Sequence, residues 1–162
     1  LRFLLAALAV TPLRDLARID LMRYRRALGL LAFWYALMHF LVYLVLDQNL
    51  NLAAILADIA RRPFITVGMA CLVLLVPLAL TSNAFSIRRL GPNWRRLHRL
   101  SYLVVLGAAA HYAMSVKVVT AEPFLYLVLA ALLVLYRPFR RRIAQWRRPS
   151  AGPRIRPRKS VW

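Results

Sequence analysis

Uninterrupted apolar runs close to the thickness of a lipid bilayer constrain this chain more than any other feature of its sequence. Four are complete: Ala27 to Leu46, Phe64 to Leu80, Leu100 to Val119, and Pro123 to Tyr136, the last extendable through Phe139. About 20 apolar residues cross a bilayer as a helix. Each run is bounded by charge or by Pro and Asn, and each is too evenly apolar for a surface helix. In hydrocarbon the backbone must satisfy its own hydrogen bonds, so helices are the economical reading. The expected fold class is all-α, a polytopic transmembrane helical bundle of four full spans. Leu1 to Val10 is about half a span, and with Leu rather than Met at the start it reads as a truncated N-terminal span. No small-residue cleavage site precedes Thr11-Pro12, which weakens a signal-peptide reading. Pro77 is expected to kink its span or loosen the last turn.

The chain carries 24 Lys and Arg against 5 Asp and Glu, a net charge of +19, beside a hydrophobic content of 62%. In a soluble protein that charge would suggest nucleic acid, but soluble readers of DNA do not carry repeated apolar runs of this length. Membrane topology explains it better. Arg14, Arg18, Arg23, Arg25 and Arg26 precede the first full run, and Arg88, Arg89, Arg95, Arg96 and Arg99 lie between the second and third. Ten more basic residues follow from Arg137 onward. If each run spans once, these segments share one side, and the other side has Arg61, Arg62 and Lys117 near its membrane edges. Positive-inside sorting makes the arginine-rich side cytoplasmic, with the C-terminus on that side and Leu1 toward the outside. The chain divides into a membrane domain, 1–142, and a basic tail, 143–162, whose Arg- and Pro-rich stretch from Arg147 is expected to be disordered. Attraction to anionic lipid accounts for the tail, and docking of a soluble partner is the sharper alternative. Residues 48 to 62 read as a short interfacial helix on the outer side. The one cysteine, Cys71, excludes an internal disulfide and reads as a buried small hydrophobe.

His39, His98 and His111 are the only histidines, and all lie in or at the edge of a run. An ionisable group in a membrane is a functional candidate. His39 stands thirteen residues beyond Arg26 and His111 twelve beyond Arg99, in runs of the same direction. Both therefore lie roughly 18 to 20 Å from the cytoplasmic charge line. Two imidazoles at equal depth on different helices can clamp one planar cofactor, and two neutral imidazoles fill both axial positions of a haem iron, leaving an electron carrier. His98 precedes His111 by thirteen residues, which suits a second haem about 20 Å below. On one ideal helix, however, thirteen residues turn the two side chains roughly 140° apart. For His98 a phosphate contact at the interface stays open on spacing, and for all three so does plain interhelical hydrogen bonding. Arg25 and Arg26 occupy the level below His39 where a fourth histidine would stand. These and Arg95 and Arg96 are candidates for haem propionates or a flavin phosphate, with topology as the alternative. Gly29, Gly68 and Gly107 can admit a haem face or simply allow close helix packing.

Other chemistry has little support. Asp15, Asp20, Asp47, Asp58 and Glu122 lie outside span centres, so no buried carboxylate relay is visible. Phosphate loops, Ser/His/Asp arrangements and zinc spacings are missing from the sequence.

The segments VTPLRDL, RYRRALGLLAFWYALMHFLVYL, RRPFITVGM, LALTSN, RRLGPNWRRLHRLSYLVVLGAAAHYAMSVK and LLVLYRP resemble the MsrQ (YedZ) family, ferric reductase-like membrane proteins. The resemblance covers nearly all of residues 1 to 140. Its most specific element is Trp94, His98 and His111 in a W-x₃-H-x₁₂-H pattern. The family has six spans, so the resemblance implies that the first and part of the second are missing here. It further implies electron transfer through membrane haem b, one or two copies, with FMN also associated. The donor would be a cytoplasmic NAD(P)H-flavin reductase. The acceptor would be a periplasmic molybdopterin subunit that reduces methionine sulfoxide, a reversible lesion. On this resemblance the chain is an electron-transfer subunit of the bacterial inner membrane, with His39, His98 and His111 as haem-binding positions. A ferric reductase-type or quinol-oxidising cytochrome and a haem-free scaffold or transporter are the alternatives.

Overall fold

The computed structural model describes residues 1–116 and 120–146. The tail from 147 and Lys117 lie outside the described residues. Within them the chain is all-α: α1 Arg2–Ala17, α2 Arg25–Val42, α3 Leu52–Arg61, α4 Pro63–Leu80, α5 Ala84–Leu90, α6 Pro92–Leu97, α7 Leu100–Ser115 and α8 Ala121–Trp146. The four apolar runs are α2, α4, α7 and α8, and α3 lies within 48–62, where a short helix is expected. Three segments are long and apolar enough to cross a membrane, Met22–Asp47, Pro63–Leu80 and Ala121–Arg140. The run expected to reach Val119 stops being helical at Ser115, where Val116 turns extended. At 16 residues α7 is about 24 Å long.

Local chemistry sets most boundaries. Arg18 takes a left-handed conformation that ends α1. The Asn51 side chain caps α3 through Ala54 N at 3.1 Å, and Asn83 caps α5 through Ser86 N at 2.8 Å. Pro63 opens α4, where its missing N–H costs nothing. Pro77 does not end α4. The helix runs to Leu80, and its last turn is tied by Thr81 Oγ1 donating to Pro77 O at 2.6 Å and Ser82 Oγ to Leu78 O at 2.6 Å.

α1 packs on α2, α2 on α4, α4 on α7, α7 on α8, and α8 back on α1, which closes a ring of five helices. Its core is formed by Leu4, Leu5 and Leu8 of α1, Ala32, Cys71, Leu75, Val104, Val105, Ala109 and Ala130. The half-length stretch Leu1 to Val10 is thus central rather than peripheral. Outward, α2, α4 and α8 expose Trp34, Met38, Val73, Leu80, Leu125 and Leu132 among others. An apolar belt of that extent is the face of an integral membrane protein.

The closest pairing is α4 against α7, and each helix offers a glycine to the other. A Cβ on Gly107 would stand 2.6 Å from Cys71 Sγ, and one on Gly68 2.8 Å from His111 Nδ1. Lipid provides no hydrophobic drive between helices, so such close approach, with its dispersion contacts, is what joins them.

Charged groups gather at the two ends. At the arginine-rich end Asp15 accepts Tyr136 Oη at 3.2 Å and pairs with Arg140 Nε at 2.7 Å. There Arg137 donates to Tyr102 Oη and, at 3.4 Å, to Thr11 Oγ1. At the opposite end Arg2 pairs with Glu122 at 3.7 Å and donates to Tyr126 Oη at 3.0 Å. Arg2 therefore joins Arg61 and Arg62 there.

Candidate functional site

The ring surrounds a cavity of about 760 Å³ lined by α1, α2, α4, α7 and α8. That is within the usual size of cofactor pockets. His39 of α2 and His111 of α7 both line it, with ring centroids 6.3 Å apart and planes crossed at 73°. The two imidazoles that the sequence sets at equal depth therefore face one space. His111 Nδ1 lies 2.6 Å from the Phe64 carbonyl in the first turn of α4. A carbonyl only accepts, so Nδ1 carries the proton and Nε2 keeps its lone pair. Gly68 forms the wall behind the ring, with no room for a Cβ. Phe64 adds an aromatic edge 6.1 Å from the His111 ring.

Among the described residues no group of three or more His, Cys, Asp or Glu side chains can enclose a bare metal ion. Two imidazoles suit a metal whose other ligands arrive with it, as in a tetrapyrrole. Apolar walls of Ala32, Ala36, Leu72 and Val104 suit a flat hydrophobic ring. The residues fit a haem.

His98 is not in this cavity. It occupies the turn between α6 and α7, half-buried, with Trp94 stacked on its ring at 4.0 Å. The angular difficulty raised by thirteen residues on one straight helix falls away, because α7 begins only at Leu100. Thr81 Oγ1 donates to Pro77 O, so it accepts the Nε2–H of His98 at 3.1 Å. In this arrangement Nδ1 is the nitrogen with a lone pair. Trp94 Nε1 donates to Thr81 O at 2.9 Å and completes the cluster. Burial, then the charge of Arg25, pull the His98 imidazole below its ordinary value of 6.5, so it is neutral near pH 7.

Of the four arginines the sequence nominates, Arg25 is the one whose charge reaches a histidine. Arg26, Arg95 and Arg96 are exposed, and none of the four lines the cavity. The arginines that do are Arg62 and Arg2. The sequence gives Arg62 a topological role only, and it has no signal for the Phe64 carbonyl, since a backbone acceptor is common to every residue type. Of the three glycines, Gly68 backs a histidine, Gly107 meets Cys71, and a Cβ on Gly29 meets nothing within 4 Å.

Comparison with known proteins agrees with the membrane architecture. A family model described as ferric reductase like transmembrane component matches residues 1–109, which takes in His39 and His98 and stops before His111. A protein of Rhizobium meliloti (strain 1021), named protein-methionine-sulfoxide reductase heme-binding subunit MsrQ, is 63% identical over 153 residues. The match covers 94% of this chain and 71% of that protein. A protein of the same name from Brucella ovis is 59% identical over 154 residues, 95% of this chain and 70% of the relative. No solved structure matches.

Proposed function

Because the chain belongs to the MsrQ family of ferric reductase-like transmembrane components, we propose that it carries electrons across the membrane on a b-type haem held by His39 and His111. The observation that carries this reading is the pair of imidazoles 6.3 Å apart in one apolar cavity, with His111 fixed by its Nδ1–H bond to Phe64 O. That bond sets the tautomer and aims Nε2, the arrangement metal-ligating histidines use. His39 and His111 would hold the haem, which would supply one-electron exchange there. The chain itself positions: α4 and α7 hold His111, α2 holds His39, and the apolar walls exclude water.

His98 is assigned to an inner site, where it would hold a second haem through Nδ1 or by turning away from Thr81. Arg25, whose charge reaches it, with Arg26 next in the chain, and Arg95 and Arg96 just before it in sequence, would be counter-charges for propionates or for an FMN phosphate. The arginine-rich end is placed in the cytoplasm and the His39–His111 end outside, in a bacterial inner membrane. The relatives' printed name supports service to a methionine sulfoxide reductase. A cytoplasmic NAD(P)H-flavin reductase as donor and a periplasmic molybdopterin subunit as acceptor complete the proposed chain. The tail after residue 142 is proposed to lie against anionic lipid.

The test is spectroscopic. Protein made with ample haem should show a reducible low-spin b-type spectrum, and His39→Ala and His111→Ala should lose the same component. Absence of a reducible Soret and α band in the wild-type protein, or an unchanged spectrum in His39→Ala, would overturn the reading. Reduction by NADH with a flavin reductase, then reoxidation only when acceptor subunit and methionine sulfoxide are both added, tests the partners.

A further inference from the structure

The cavity holding His39 and His111 opens at its outer end onto two arginines, and each is oriented by a carboxylate or phenol of the bundle. Arg62 directs Nε at Asp58 Oδ1, 3.1 Å away. Asp58 is in turn held by Tyr43 Oη at 3.2 Å and Gln48 Nε2 at 2.9 Å. With Nε so engaged, both Nη groups of Arg62 have no side-chain partner among the described residues, and Arg62 lines the cavity. Arg2 uses Nε for Tyr126 Oη and stands 3.7 Å from Glu122, also on the cavity wall. Along the chain Arg62 precedes Phe64, the acceptor of His111, by two residues, and Gly68 by six, about 9 Å of helix axis. Both arginines thus line the same cavity as the two imidazoles.

Apolar walls, two imidazoles and two side-chain-oriented arginines on one cavity match a flat cofactor with an apolar body and a carboxylated edge. We infer that Arg62 and Arg2 form a carboxylate-binding rim that takes the propionate edge of the cofactor, so that this edge faces outward. This inference rests on the reading that His39 and His111 bind haem. Asp47 and Glu122 share the mouth. The rim therefore selects by the geometry of paired N–H donors rather than by net positive charge.

The test compares uptake of haem and of haem dimethyl ester, whose carboxylates are blocked, by the haem-free protein in detergent. Wild type should bind the free acid on the order of tenfold or more tighter than the ester, the ratio that one charge-assisted hydrogen bond supports. Arg62→Gln should remove most of that preference and Arg62→Gln with Arg2→Gln all of it, while the bound form keeps its bis-imidazole spectrum. Arg88→Gln with Arg89→Gln, exposed on α5 and part of neither site, should leave the preference intact. If Arg62→Gln does not fold, Arg62→Lys keeps a charge for Asp58 but loses the fork, and a reduced preference is expected. Equal preference in wild type and the rim variants, or a preference that moves only with Arg88 and Arg89, would overturn the rim. Failure of wild type to take up either form would overturn the haem reading itself, and the rim with it.

Discussion

Gly68→Ala separates the support of a ligand from the packing of a helix. The new Cβ would lie 2.8 Å from His111 Nδ1 and 2.9 Å from Cε1, where ordinary contact begins at 3.4 Å. The ring must therefore retreat by about 0.6 Å, and the atom pushed is the one bonded to Phe64 O at 2.6 Å. Losing that bond costs about 1–3 kcal/mol, and replacing a helical glycine returns about 0.5–1 kcal/mol. The net effect on folding is thus modest, about 0–2.5 kcal/mol. Ligand support is more sensitive: loss of such a partner lowers metal affinity by roughly 10–100-fold. The expected signature is a large fall in haem retention beside a modest shift in thermal unfolding of the haem-free protein. Haem-to-protein ratio, reduced-minus-oxidised spectra and midpoint potential measure the first, and a melt in detergent the second. Gly29→Ala is the control, since its Cβ meets nothing within 4 Å. Full haem content and an unmoved potential in Gly68→Ala would show that the ring does not depend on this wall.

Gly107→Ala puts a Cβ 2.6 Å from Cys71 Sγ and should destabilise the α4–α7 pair by about 1–3 kcal/mol. Cys71→Ala in the same chain should recover much of that loss, measured as a coupling between the two changes in melting experiments. Asp15→Asn removes the charge that Arg140 and Tyr136 share. Because Arg140 is about half exposed, a loss near 1 kcal/mol is expected, smaller in high salt. Trp94→Leu abolishes the stack on His98 and the bond to Thr81 O. It should perturb any inner cofactor while leaving the His39–His111 spectrum unchanged, and loss of both signals together would show that the two regions are not independent.

How much was legible before any coordinates can be argued from single residues. Asn51, Asn83 and Pro63 mark helix starts because capping and a missing N–H are local chemistry, and each stands at the boundary it implies. Leu1 to Val10 reads as half a span from its length, and only its packing shows that it forms part of the core. α5 and α6 have no apolar periodicity long enough to announce them, and they exist because Gly91, at a positive φ of 50°, allows the chain to turn between them. The cavity arginines were not legible for a related reason. Spacing gives Arg25 and Arg26 the right depth for an inner partner, yet nothing in spacing says that Arg62 and Arg2 converge from helices 60 residues apart.

By itself the sequence determined a helical membrane bundle, its arginine-rich end, and the shared depth of His39 and His111. These are properties along the helix axis, and a fixed rise of 1.5 Å per residue converts chain position into depth. Only the tertiary structure decided which faces meet. Rotation of each helix about its axis follows from how closely neighbours approach, and that is set by Gly68 against His111 and Gly107 against Cys71. The same packing turns Phe64 O toward Nδ1, places His98 against Thr81 and Trp94, and sets Arg62 and Arg2 on one cavity.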